Sequence, residues 1–130
     1  MNDTGSKQAE ILIAESSPTQ AEQLKYLLEN KGYKTACARN GREALAYLRS
    51  APRQPGLILL DLMMPEMTGW EFRKIQQADP ELAAIPVAII TGIPGMEDKA
   101  SAIGAVDVLA KPSRVEQLTE LVSRFCGGYV

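Results

Sequence analysis

Four polar side chains, far apart along the chain, have the chemistry needed to bind a divalent cation and an anion together. Glu15 and Asp61 carry carboxylates, Thr91 carries a hydroxyl group and Lys111 carries an ammonium group. Carboxylates bind Mg²⁺ together with waters and phosphate oxygens. An aspartate carboxylate can also take a phosphoryl group as an acyl phosphate. The hydroxyl and ammonium groups are suited to the oxygens of such an anion, so the set predicts a phosphoryl-transfer site.

Each of these residues also has an ordinary explanation when it is taken alone. An Asp after a strand is most often a turn former or a helix cap. A Thr in the same place is usually a loop hydroxyl, and a Lys before a Pro usually lies in solvent. The hypothesis depends on all four residues standing at the ends of four different predicted strands.

The elements that would position these side chains are five apolar runs separated by segments of helical periodicity. The runs cover residues 10–14, 33–38, 57–60, 86–90 and 105–110. Strand–helix alternation predicts an α/β fold with a parallel sheet. The length favours a doubly wound, flavodoxin-like sheet of five strands in the order 2-1-3-4-5, in which ligands bind beyond the carboxyl ends of the strands.

The helices are indicated by capping signatures, in which a capping side chain is followed three residues later by Gln or Glu. The pairs are Ser17 and Gln20, Asn40 and Glu43, Thr68 and Glu71, and Ser113 and Glu116. The pattern places Phe72 and Ile75 on the inner face of the third helix. The segment 95–103 is the weakest helix, because it is short and rich in Gly, Ala and charge.

Composition narrows the function classes. The 130 residues fit one domain, and a net charge of −2 does not favour nucleic acid. Apolar runs of about five residues are too short to span a membrane. The polar N-terminus lacks the apolar core of a signal peptide, so we expect a cytoplasmic protein with a flexible tail over residues 1–8.

The chain contains no His, which excludes Ser-His and Cys-His nucleophile pairs. Cys37 is predicted to be buried.

Several segments resemble the receiver domains of response regulators, the CheY-like superfamily of two-component signalling. They are "ILIAESSPTQAEQLKYLLENKGY", "LILLDLMMPEMTGW", "PVAIITG" and "GAVDVLAKP". The resemblance implies a receiver domain over residues 9–127, with Asp61 as the acceptor of a phosphoryl group from a partner's phosphohistidine. It also implies that Thr91 binds a phosphoryl oxygen, that Lys111 pairs with the phosphoryl charge, and that Glu15, Asp61 and the backbone carbonyl of Met63 serve Mg²⁺.

The same resemblance implies the partners. The donor would be a sensor histidine kinase or a histidine phosphotransfer protein. A downstream protein would bind the face formed by the fourth helix, fifth strand and fifth helix, while a homodimer is left open. Direct binding to nucleic acid or membrane is not expected. Nor is enzymatic activity beyond slow self-dephosphorylation.

Two residues depart from the receiver pattern. Ser16 stands where the family usually has a second acid that binds the metal directly, so its hydroxyl could contact Mg²⁺ only weakly or through water. We therefore expect a weakened affinity for Mg²⁺. Val108 stands where the family usually has the Tyr or Phe of the switch. The alternative reading is a pseudo-receiver that binds partners independently of phosphorylation.

Overall fold

The computed structural model describes residues 10–111 and 114–127. Its five strands are β1 (Ile11–Ala14), β2 (Thr35–Ala38), β3 (Leu57–Asp61), β4 (Val87–Thr91) and β5 (Asp107–Ala110). Its five helices are α1 (Pro18–Asn30), α2 (Gly41–Ser50), α3 (Gly69–Ala78), α4 (Glu97–Ala102) and α5 (Val115–Cys126). The tail predicted at 1–8, Pro112 and the cap predicted at Ser113 lie outside the described residues.

The strands form one parallel sheet in the order β2-β1-β3-β4-β5, which confirms the predicted fold class and topology. The register aligns the strand ends. Ala14 lies beside both Ala38 and Leu60, and Thr91 lies beside Ala110. Residues that end the strands or directly follow them therefore meet at one edge of the sheet.

Alternate residues of the strands pack into two separate hydrophobic layers. Leu12, Ile58 and Leu60 face α2, α3 and α4, where they join Leu45, Leu48 and Phe72 among other residues. Ile11, Ile13 and Leu59 face α1 and α5, where they join Leu28, Leu118 and Leu121 among others. Helices cover both faces of the sheet, as its continuous apolar strands predict.

Three of the predicted caps are present. The Ser17 hydroxyl accepts a hydrogen bond from the Gln20 amide at 3.3 Å, and the Asn40 side chain accepts one from the Glu43 amide at 2.8 Å. Thr68 and Glu71 form a reciprocal capping box. In the last helix Arg114 occupies the N-cap position, and its side chain makes no capping hydrogen bond. No helix among the described residues has both the length and the apolar character of a membrane-spanning segment.

Two predictions about burial are wrong. Ile75 is 36% exposed, while Arg73 and Gln76 are buried beside Phe72 on the inner face of α3. Polar side chains can take these places because each finds hydrogen-bond partners there, as described below. Cys37 is exposed because it lies in β2, a strand at the edge of the sheet.

Candidate functional site

Four strands deliver the predicted site residues to the same edge of the sheet. Glu15 directly follows β1, Asp61 ends β3, Thr91 ends β4 and Lys111 directly follows β5. The Lys111 ammonium nitrogen lies 2.7 Å from Glu15 Oε1 and 3.5 Å from Asp61 Oδ1. Two carboxylates from different strands thus share one cation.

Glu15 is held at both oxygens. Its Oε2 accepts a hydrogen bond from the Ser17 amide at 3.0 Å, at the start of α1. Its buried Oε1 has no hydrogen-bond partner among the described residues, so the ion pair with Lys111 is what compensates its burial. A side chain fixed in this way lacks the freedom to reach toward a metal unless Lys111 moves.

Asp61 is only 5% exposed, and its surroundings disfavour the charged form of its carboxyl group. Burial raises the pKa of the Asp61 carboxyl above its ordinary value, and the nearby Glu15 raises it further. The Met63 amide, which donates to Oδ1 at 3.1 Å, and Lys111 partly oppose this rise in pKa. A further cation at this edge would therefore be favourable, since one ammonium group does not balance two carboxylates.

The oxygen atoms available to a metal are few but of the right chemical kind. Ser16 donates a long hydrogen bond of 3.4 Å to the Met63 carbonyl, so a hydroxyl and a backbone oxygen lie together where the loops after β1 and β3 meet. Carboxylate, carbonyl and hydroxyl oxygens suit Mg²⁺. Within residues 10–111 and 114–127, no group of three or more His, Cys, Asp or Glu side chains is placed to hold a metal. The donors fit Mg²⁺ by chemical type, and they include two carboxylates, those of Glu15 and Asp61.

Thr91 is buried, and its hydroxyl accepts a hydrogen bond from the Ile93 amide at 3.0 Å. Its carbonyl accepts one from the Lys111 amide at 2.9 Å, which ties the end of β4 to the residue after β5. Val108 is partly buried and packs on the layer that contains α2, α3 and α4. Thr91 ends β4, the strand next to the one that ends in Asp61. Val108 has no ring that could follow a movement of the Thr91 hydroxyl.

Sequence reasoning missed Gly69, the first residue of α3. A Cβ atom at this position would lie 2.6 Å from the Asp61 carbonyl oxygen and 2.8 Å from Leu62 Cα. The Gly69 amide donates to the Leu62 carbonyl at 3.0 Å. Only a residue without a side chain permits this approach, so Gly69 sets how closely α3 begins to the end of β3. The available signal was a Gly directly after the capping Thr68.

Comparison with known proteins gives one consistent result. The family model described as the response regulator receiver domain matches residues 11–123. The protein PilH of Pseudomonas aeruginosa is 34% identical over 122 residues, which cover 92% of this chain and 99% of PilH.

Solved structures agree with this match. The receiver domain of a signal transduction histidine kinase from Syntrophus aciditrophicus is 41% identical, with a TM-score of 0.80 over 91% of this chain and 89% of its own. The receiver domain of the sensor histidine kinase PA1611 from Pseudomonas aeruginosa, whose structure has magnesium in its active-site cleft, is 23% identical. Its TM-score is 0.81, with coverage of 93% of this chain and 99% of that one, and at this identity the likeness concerns the fold.

Proposed function

This chain belongs to the response regulator receiver domain family, and on that premise we propose that Asp61 accepts a phosphoryl group from a partner's phosphohistidine. Receiver domains are signalling modules that interact with histidine kinases or phosphotransfer proteins and with downstream effectors. The donor proposed here is a sensor histidine kinase or a histidine phosphotransfer protein.

One observation carries the proposal: the buried Asp61 carboxylate lies 3.5 Å from the Lys111 ammonium at the carboxyl edge of a parallel sheet. In the proposed transfer an Asp61 oxygen forms a bond to phosphorus while the bond from phosphorus to the donor's imidazole nitrogen breaks. The imidazole leaves with the electron pair. Lys111 neutralises charge on the phosphoryl oxygens, and the Thr91 hydroxyl donates to one of them after leaving its contact with the Ile93 amide. Positioning and charge neutralisation supply most of the catalysis in such transfers.

The family binds Mg²⁺ in its active site, and here Asp61, Glu15 and the Met63 carbonyl would hold it, with Ser16 contributing weakly or through water. When bound, the metal neutralises charge on the phosphoryl oxygens. We propose a weakened affinity for two reasons. Ser16 brings no charge to the site, and Glu15 is already bound to Lys111 and the Ser17 amide.

A comparison of the affinity for Mg²⁺ in wild type and Ser16→Asp tests this part. We expect the variant to bind Mg²⁺ more tightly in a calorimetric titration. Equal affinities would show that Ser16 is not the reason for weak binding.

Incubation with acetyl phosphate or a phosphorylated candidate donor, in the presence of Mg²⁺, tests the transfer itself. Intact-mass spectrometry should show one added phosphoryl group in wild type and none in Asp61→Asn. The matched control is Asp98→Asn, which removes an exposed acid on α4 and should be phosphorylated like wild type. Failure of wild type to accept the group from any donor would refute the proposal and favour the pseudo-receiver.

We assign the downstream contact to the face of α4, β5 and α5. Val106, directly before β5, and Val115, the first residue of α5, are each 38% exposed and offer apolar area to a partner. A phosphorylation-dependent partner should lose binding when Val106 is changed to Asp, with phosphorylation of Asp61 unaffected. Unchanged binding would place the contact elsewhere.

A further inference from the structure

Helix α4 has few stabilising features of its own. It contains six residues, from Glu97 to Ala102, and Ala100 is its one buried residue. Its N-cap, Met96, makes no side-chain hydrogen bond to it. Helices this short are unstable without tertiary support, because forming the first turn costs more than a few hydrogen bonds return.

Support comes from α3, through the side chain of Arg73. Its Nε donates to the Ile103 carbonyl at 2.8 Å, and its Nη2 donates to the Gly104 carbonyl at 3.1 Å. Gln77 adds a third hydrogen bond, to the Ile103 carbonyl at 3.1 Å. A cation at the C-terminal end of a helix also interacts favourably with the helix dipole.

The Arg73 side chain is itself held in place by Gln76. Its Nη1 donates to Gln76 Oε1 at 2.8 Å, and Gln76 Nε2 donates to the carbonyls of Leu82 and Ile85 at 2.9 and 3.0 Å. Residues 82 and 85 lie between α3 and β4. The guanidinium is therefore held in one orientation by a network that includes α3, the segment before β4 and the end of α4.

The charge of Arg73 makes this arrangement costly as a source of stability alone. Its side chain is buried, and no carboxylate among the described residues lies within 4.0 Å of it. Burial lowers the pKa of the guanidinium. An apolar side chain in a buried site often gives equal or greater stability, so the network is better explained by the position that it imposes on α4.

The same helix contacts the site one turn earlier. Gly69 begins α3 against the Asp61 carbonyl, and Arg73 follows four residues later on the same face. We propose that Arg73 is a positioning residue that tethers the C-terminal end of α4 to α3, and that its loss lets α4 open locally while the sheet stays folded. The part of the proposal that concerns switching rests on the proposed function, because the tether then opposes any displacement of α4 that phosphorylation of Asp61 requires.

Amide hydrogen exchange on the full chain without any phosphoryl group tests the tether. The Gly104 and Ala105 amides bond to the Ser101 and Ala100 carbonyls at 2.9 and 3.0 Å, so they report opening of the end of α4. Arg73→Met keeps the length of the side chain and removes its donors. We expect exchange at these two amides to become about ten- to hundredfold faster, as loss of hydrogen bonds from a charged group predicts.

Amides of β1 and β3 should keep their wild-type exchange rates in Arg73→Met. The matched control is Arg42→Met, which removes an arginine whose side chain is 73% exposed and should change none of these rates. Uniform acceleration throughout the sheet, or no acceleration at residues 104 and 105, would overturn the proposal.

A second variant keeps the test decisive if Arg73→Met does not fold. Gln77→Leu removes one hydrogen bond to the Ile103 carbonyl from an exposed side chain. It should give a smaller acceleration, about threefold, at the same two amides. Unchanged rates there would contradict the tether.

The link between the Arg73 tether and phosphorylation is tested with beryllofluoride and Mg²⁺. Beryllofluoride is used as a mimic of the phosphoryl group on Asp61. In wild type the mimic should accelerate exchange at residues 104 and 105, and in Arg73→Met the increase should be much smaller because the tether is already lost. Equal increases in both proteins would refute the link. Binding of the mimic is followed separately by ¹⁹F NMR, so absence of binding counts against the proposed function and leaves the phosphate-free result intact.

Discussion

Replacing Gly69 by Ala should destabilise the protein, although alanine is normally the better helix former. The added Cβ would stand 2.6 Å from the Asp61 carbonyl oxygen, where ordinary van der Waals contact begins at 3.4 Å. The start of α3 must therefore move by about 0.8 Å away from the end of β3. Both close atoms belong to the backbone, so no side-chain rotation can relieve the contact.

The size of the effect follows from two opposing contributions. Overpacking of a well-packed site costs about 1–3 kcal/mol. The higher helix propensity of Ala returns at most about 1 kcal/mol, and less at the first residue of a helix. Because rigid backbone is involved, we expect a net loss of about 2 kcal/mol, which lowers the Tm by about 6–10 °C in a domain of this size.

Thermal unfolding followed by circular dichroism measures this loss, with Gly92→Ala as the matched control. A Cβ at Gly92 meets no atom within 4 Å, so that substitution should change stability by less than about 0.5 kcal/mol. Equal Tm values for the two variants would refute the claim that α3 is in tight contact with Asp61. We also expect Gly69→Ala to slow the proposed phosphorylation, since the carbonyl that it displaces belongs to Asp61, the proposed acceptor.

Three further outcomes follow from charge, exposure and backbone geometry. Burial raises the pKa of the Asp61 carboxyl above its ordinary 3.8, so the folded protein holds this proton more tightly and loses stability as pH rises through the raised pKa. Asp61→Asn should therefore have a higher Tm than wild type at pH 7, and the difference should vanish below about pH 4; a difference independent of pH would contradict this. Exposed Cys37 should react with Ellman's reagent before the less accessible Cys126, because burial raises the pKa of both thiols and that of Cys126 to about 11. The fast phase should disappear in Cys37→Ser, and its persistence would reverse the assignment. Glu66 has a φ of 66°, so Glu66→Gly should relieve left-handed strain of about 1 kcal/mol and raise the urea midpoint, whereas a lower midpoint would count against this strain.

The fold could be predicted from the sequence because its signals are local and repeated. Each strand is a short apolar run, and three helices begin at the capping pairs that the sequence contains. The meeting of Glu15, Asp61, Thr91 and Lys111 could also be anticipated, since parallel strands present their carboxyl ends at a common edge.

The burial of Arg73 and Gln76 could not be predicted in the same way. A polar residue on a helix is normally assigned to solvent, and the carbonyls that satisfy these two come from residues 82, 85, 103 and 104. Such partners become known only when the helix is packed. The approach of Gly69 to Asp61 is of the same kind, because it depends on a distance between two backbones and leaves no periodic trace.

The central position of β3 has a consequence for how this molecule can respond to a signal. All five of its residues are buried, and it is bonded to β1 on one side and β4 on the other. A charge added to Asp61, at the end of β3, would therefore lie at the most constrained strand of the sheet. We expect the rearrangement that follows to involve α4, which is short, and β5, which lies at the edge of the sheet and has a strand on one side only.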